Sequence, residues 1–280
     1  MSALAAVGES SNYLVRLIAL ARTSLGQLVH KPSHSRRAQA ARRLARHSLL
    51  ITATLGAAII ALMYALDARE IVLMPPRGTV GLWPVRILTD FGKDAYVLGS
   101  LAAALFAVAI ISAAWRGTSR SRLLRLGMRL QFLFFAVLTP VLAGELIKWM
   151  VGRGRPFVGG KSNAFNFEPF AGIEAYASFP SAHAITSAAL AFAVAAVWPR
   201  ARGVMIVYAV LIAVSRLVLL AHHPSDVVAG ALIGVVGAMF VRYWFAARRL
   251  GFTIHRDGRI VPLRSARGHL KRVAREPSAP

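Results

Sequence analysis

Six stretches of the chain are apolar almost without interruption, at about 48–66, 95–115, 128–148, 182–198, 204–221 and 227–246, and polar residues gather between them. Each approaches the roughly 20 residues that a helix needs to cross a hydrocarbon core. The pattern therefore predicts an all-α, polytopic membrane protein built as a six-transmembrane-helix bundle. The run at 204–221 is slightly short and the one at 182–198 is rich in alanine, but together the six give an even number of crossings. Further upstream, Leu14, Leu17, Ala21, Leu25 and Leu28 recur at helical spacing, which fits a helix lying on the membrane surface, with a solvated basic tail as the alternative. Arg16 and Arg22 interrupt that stretch and no small-residue cleavage site follows, so it does not read as a removable signal peptide.

Composition agrees with the pattern: 56% of the 280 residues are hydrophobic and 16% charged. With no cysteine, disulfides, thiolate catalysis and cysteine-ligated metals are excluded. A net charge of +23 would ordinarily raise nucleic acid as a partner, but most of that charge lies outside the apolar runs. The N-terminal segment 1–47, the 116–125 loop, the Arg200/Arg202 turn and the tail 247–280 all fall on one side of a six-span bundle. The positive-inside rule makes that side cytoplasmic, leaving 48–246 as the membrane domain and nucleic acid as no partner. Anionic lipid headgroups would attract the same basic tails.

The opposite side then receives Lys148 at the end of the third run, Ser181 to His183 at the start of the fourth, His222 at the end of the fifth and Asp226 at the start of the sixth. Four helix ends bearing polar groups converge there, at the non-cytoplasmic face. Each has an ordinary reading. Pro180-Ser181-Ala182-His183 is a good helix start, though a helix N-terminus is also an anion site. Lys148 and Arg155 would serve as interfacial anchors, and Glu145 can neutralise Lys148. Asp226 could simply cap the last helix, or fix the tautomer of a histidine nucleophile. Arg216 stands inside an apolar run, where a charge is costly. The surplus of cations around His222, His223 and Asp226 favours an anionic ligand over a metal.

Taken in order, Lys148-(six residues)-Arg155-Pro156, Pro180-Ser181-Ala182-His183, and Ser215-Arg216-(five residues)-His222-(three residues)-Asp226 resemble the tripartite signature of the type-2 phosphatidic acid phosphatase superfamily, which vanadium haloperoxidases share. The resemblance implies that Lys148, Arg155 and Arg216, with Ser181 and the Ala182 N–H, hold phosphate oxygens. It implies that His222 attacks phosphorus with Asp226 holding its ring, and that His183 protonates the leaving oxygen. Two positions depart from the pattern: Ala182 replaces a usual glycine, and His223 stands where an aromatic residue is common. The spacing to Asp226 favours His222 over His223 as nucleophile. The expected activity is a phosphatase without metal or other cofactor, acting on a lipid phosphate at the outer face of a bacterial plasma membrane. Undecaprenyl diphosphate, phosphatidic acid, phosphatidylglycerophosphate and lipid A phosphates are candidate substrates. The aromatic loop 157–179, with Phe157, Phe165, Phe167, Phe170, Tyr176 and Phe179, is expected to select among them. The alternatives are a vanadate-dependent haloperoxidase, a catalytically silent lipid-phosphate binding or transport protein, and a metallohydrolase.

Overall fold

The structure is a computed structural model that describes residues 13–156, 158, 163–255 and 259–263. Phe157 and the tail beyond residue 263 lie outside the described residues. Nine α-helices follow in order among them: α1 Tyr13–Val29, α2 His34–Ala65, α3 Asp67–Leu73, α4 Trp83–Asp90, α5 Asp94–Ala114, α6 Gly117–Val151, α7 Ala182–Val197, α8 Arg202–Val218 and α9 Pro224–Ala247. Each of the six apolar runs lies in one of the longer helices.

Among the described residues, five segments are long and apolar enough to cross a membrane: His34–Ala65, Val80–Ala114, Gly117–Val151, Pro199–Val218 and Pro224–Ala247. The protein is an integral membrane protein on this ground. The helix from the fourth run, α7, has 16 residues. It is the innermost helix, with α6, α8 and α9 packed around it, and ten of its residues are buried. That burial explains the alanine that made its hydropathy moderate: small side chains let three neighbours approach at once. On α9, Gly230 and Gly234 are the contact points. A Cβ on Gly230 would sit 2.5 Å from the Ser181 carbonyl oxygen, and one on Gly234 would sit 2.4 Å from that of Ile185.

Three features differ from the pattern's forecast. The basic segment before residue 48 is helical from His34, so Arg36 through Arg46 ride on the first turns of α2. Likewise the arginine-rich 116–125 stretch is the start of α6 rather than a loop. Charge ended the predicted spans, yet arginine is a good helix former, so the helices run on past the apolar stretches. Thirdly, the fold is not purely helical: β1 Phe252–Ile254 pairs antiparallel with β2 Ile260–Pro262. This hairpin covers the end of the bundle where Phe132 meets Phe245 and Phe252 edge-on, at 5.4 and 4.7 Å between ring centroids. Helix α1 is docked rather than free, with Tyr13 donating to the Ile110 carbonyl at 3.1 Å and the Leu28 carbonyl accepting from Trp244 Nε1 at 3.2 Å.

Candidate active site

The C-terminal ends of α6 and α8 and the N-terminal ends of α7 and α9 meet at one end of the bundle. Helix α6 stops at Gly152, whose φ of +55° is the left-handed cap conformation. A side chain is barred there as well, because a Cβ would lie 1.8 Å from the Glu168 carbonyl oxygen. The Gly152 carbonyl accepts from the Glu168 N–H at 2.7 Å and the Gly154 N–H donates to the Asn166 carbonyl at 2.8 Å. These two bonds clamp the residue between them, Arg153, and bury it completely.

Arg153 is the hub of a polar network that sequence reading did not single out. Its guanidinium donates to Asp226 Oδ1 at 2.6 Å, Ser225 Oγ at 2.7 Å, Asp67 Oδ2 at 2.8 Å and the Ala164 carbonyl at 2.7 Å. Asp67, at the start of α3, also accepts from the Ser225 N–H at 3.1 Å. Asp67, Arg153, Ser225 and Asp226 are each fully buried. Four elements are thus tied together by one planar fork matched to two carboxylates.

Asp226 accepts no hydrogen bond from the His222 ring, unlike the contact that the resemblance implied. Its Oδ2 accepts from Ser178 Oγ at 2.6 Å and from the His223 N–H at 2.9 Å. The His222 ring instead places Nδ1 2.7 Å from the Ser178 carbonyl oxygen. A three-residue separation at a helix start lets Asp226 cap α9, and its remaining lone pairs are taken by Arg153 and Ser178. Ser178 is fixed in turn by its N–H, which donates to the Arg153 carbonyl at 2.9 Å. A carbonyl oxygen only accepts, so the proton sits on Nδ1 and Nε2 of His222 carries a lone pair.

Three of the expected residues, Arg216, Arg155 and His183, lie close enough to His222 to act on its charge. Burial, then the charges of Arg216 and Arg155, hold His222 well below its ordinary pKa, and His183 acts on it too. His222 is therefore neutral at physiological pH. The neighbouring His223 faces elsewhere: its ring senses Asp226, Arg153 and Asp67, and burial is the main cause of its lowered pKa. The two adjacent imidazoles are thereby told apart, with His222 facing Arg155 and Arg216 and His223 facing Arg153 and its carboxylates. Arg216 donates to Thr89 Oγ1 at 2.8 Å. The turn after α4 abuts the same place, since a Cβ on Gly92 would meet His183 Cδ2 at 3.4 Å. Among the described residues, Arg155 Nε, Ser181 Oγ, His183 Nε2 and Arg216 Nε are buried without a hydrogen-bond partner. Orphaned polar atoms are rare in folded proteins, and here four come from three separate stretches. Ser181 donates its N–H to the Asp226 carbonyl at 3.1 Å, and Ala182 opens α7 beside it.

Lys148 is engaged differently. It pairs with Glu145 one turn back on α6, and no contact among the described residues links it to His222, Arg155 or Arg216. Arg155 has a loose partner in Glu174, at 3.3 Å, whose side chain is 84% exposed. Burial and the nearby Arg77 lower the Arg155 pKa, and Glu174 opposes them. Glu70, on α3, is buried with neither carboxyl oxygen bonded, and burial, with Asp67 and Asp226 close by, pushes its pKa up to about 8. Among the described residues no group of three or more His, Asp or Glu is arranged to hold a metal ion. Of the aromatic loop, Phe165 packs at a tilt against Tyr64 at 5.2 Å between ring centroids and Phe170 meets Trp149 edge-on at 4.8 Å.

Of the residues that matter here, Asp67, Thr89, Arg153, Ser178 and Ser225 were missed. Arg153 carried a visible signal, a charge between two glycines at the end of an apolar run. Asp67 and Thr89 carried none, because their partners lie 86 and 127 positions away.

Residues 129–250 match the family model described as the PAP2 superfamily. Among curated relatives, the lipid A 1-phosphatase of Rhizobium johnstonii is 37% identical over 127 residues, 45% of this chain and 52% of that protein. The lipid A 1-phosphatase of Rhizobium etli is 35% identical over 127 residues, covering 45% and 55%. The bacitracin transport permease protein BcrC of Bacillus licheniformis is 34% identical over 92 residues, 30% of this chain and 45% of that protein. The matches thus span about half the length of these relatives. No solved structure matches the chain.

Proposed function

We propose, from the premise that residues 129–250 belong to the PAP2 superfamily, that this protein is a membrane lipid phosphatase whose nucleophile is His222. The observation that carries the reading is the His222 Nδ1 bond to the Ser178 carbonyl, which leaves Nε2 unprotonated beside Arg155, Arg216 and His183. In the first step Nε2 attacks phosphorus, the bond from phosphorus to the lipid oxygen breaks, and His183 gives that oxygen a proton. A water then attacks the phosphohistidine, passing a proton to His183 as the P–N bond breaks, and inorganic phosphate leaves. Arg155, Arg216, Ser181 Oγ and the Ala182 N–H face the charge that builds on the phosphoryl oxygens. Lys148 joins them by leaving Glu145 when a stronger anion arrives. Asp226 is a positioning residue that acts through Ser178.

No metal takes part in this scheme. Six crossings, with α7 as the short buried one, put both termini in the cytoplasm and the site at the outer face of a bacterial plasma membrane, as the distribution of arginine favours. The relatives named lipid A 1-phosphatase make a phosphate on a glycolipid headgroup the first substrate to try. Undecaprenyl diphosphate, phosphatidic acid and phosphatidylglycerophosphate complete the panel, and the aromatic loop 157–179 is where selection among them is expected. Purified protein in detergent should release phosphate from at least one of these in the presence of chelator. His222→Ala and His183→Ala should release none. Wild-type turnover in His222→Ala would overturn the assignment, and inactivation by chelator would favour a metallohydrolase.

A further inference from the structure

At the other end of the bundle, two cavities run into one another. The first, of about 340 Å³, lies between the α1–α2 connection, the start of α2 and the end of α9, and is lined by Lys31, Arg37, Tyr243, Trp244 and Arg248 among others. The second, of about 450 Å³, continues from it along α2, α6 and α9 and is lined by Pro140, Ala143, Ile233 and Val236. Leu44 and Phe240 border both. At about 1.5 Å per residue, α9 sets Arg248 roughly 33 Å from Asp226, so neither cavity belongs to the catalytic site.

The first cavity is cationic and held in shape. The Arg248 guanidinium lies 3.5 Å over the Trp244 ring centroid, and its Nε is buried without a hydrogen-bond partner. Trp244 is pinned by its bond to the Leu28 carbonyl, and the Tyr243 hydroxyl by His47 Nδ1 at 2.9 Å. Burial, and then the like charge of Arg37, lower the Arg248 pKa. No carboxylate lines either cavity, and none pairs with Lys31, Arg37 or Arg248 among the described residues. Cations gathered without a counter-charge at an aromatic-rimmed membrane boundary, above a groove of apolar side chains, match an amphiphile with an anionic head.

We propose that these cavities form one site for an anionic phospholipid of the surrounding bilayer, its phosphate between Arg37 and Arg248 and an acyl chain along Pro140, Ala143 and Val236. The site is independent of the reaction proposed above. Its ligand is a phosphodiester lipid rather than a substrate, and it lies where α2 packs against α9 beside the α1–α2 connection.

The test is native mass spectrometry of the delipidated full-length protein, titrated with phosphatidylglycerol, with phosphatidylcholine, and with phosphatidylglycerol in the presence of inorganic phosphate. Wild type should bind phosphatidylglycerol in preference to phosphatidylcholine. The Arg37→Ala/Arg248→Ala variant should bind it roughly thirtyfold more weakly, as expected for two cations at a lipid phosphate. Arg42→Ala/Arg46→Ala removes the same charge from exposed positions of α2 outside the cavities and should bind like wild type. Ala143→Phe fills the groove without altering any charge and should also lose binding, which keeps the proposal testable should the double variant misfold. Equal losses in the two double variants, equal binding of the two lipids, undiminished binding in Ala143→Phe, or displacement by inorganic phosphate would each overturn it.

Discussion

Replacing Arg153 by leucine should unfold the protein readily, whereas the same change two residues later at Arg155 should leave it folded and inactive. Arg153→Leu leaves Asp67 and Asp226 buried and facing one another with no cation between them. Removing one member of a buried, hydrogen-bonded ion group costs about 3–5 kcal/mol. For a chain of this size that lowers the melting temperature by on the order of 10 °C. Arg155 offers a contrast, since its one ion pair is with an exposed glutamate and is worth about 0–1 kcal/mol. Thermal unfolding followed by tryptophan fluorescence in detergent reads the first effect, and phosphate release well below the transition reads the second. Adding Asp67→Asn to Arg153→Leu should recover part of the loss by removing one unpaired charge. If Arg153→Leu melts with wild type, or Arg155→Leu melts as low as Arg153→Leu, the division between a structural and a catalytic arginine is wrong.

Thr89→Val frees Arg216 from its only side-chain partner among the described residues, so kcat/KM should fall by about tenfold or more, as for a lost hydrogen bond to a charged group, with folding unchanged. Unaltered kinetics would mean that Thr89 does not orient the arginine. Ser178→Ala keeps the carbonyl that holds His222 but cuts the link to Asp226. It should lower kcat about tenfold with little change in KM, whereas a rise in KM alone would point to substrate binding instead. Glu70, raised from 4.5 to about 8, binds its proton more tightly folded than unfolded. Wild-type stability should therefore fall as pH rises across that interval. Glu70→Gln should gain on wild type between pH 5.5 and pH 8.5 in paired melting curves, and parallel curves would refute the shift.

The apolar runs were legible because a bilayer demands long unbroken hydrophobic segments, and the helices hold them to within a few residues. Where the helices continue beyond the bilayer pattern, as at 34–47 and 117–127, hydropathy had nothing further to report. The site was legible in its cations and imidazoles, since Arg155, Arg216, His183 and His222 announce themselves by chemistry and spacing. What holds them was not. Asp226 sits three residues from His223 and four from His222, and only the backbone path of the 174–178 loop decides that the carboxylate meets Ser178 while the ring meets a carbonyl. A main-chain acceptor leaves no mark on the sequence. Asp67 and Thr89 lie outside the stretch that matches the family, so their parts follow from packing alone.

Which atom takes the phosphoryl group can be measured directly. Wild-type protein mixed with a phosphate-labelled lipid substrate, quenched in alkali within a turnover and digested should carry an acid-labile label on the Nε2 of His222, and His222→Ala should carry none. Label on His223, or full turnover with no labelled histidine, would contradict His222 as the nucleophile.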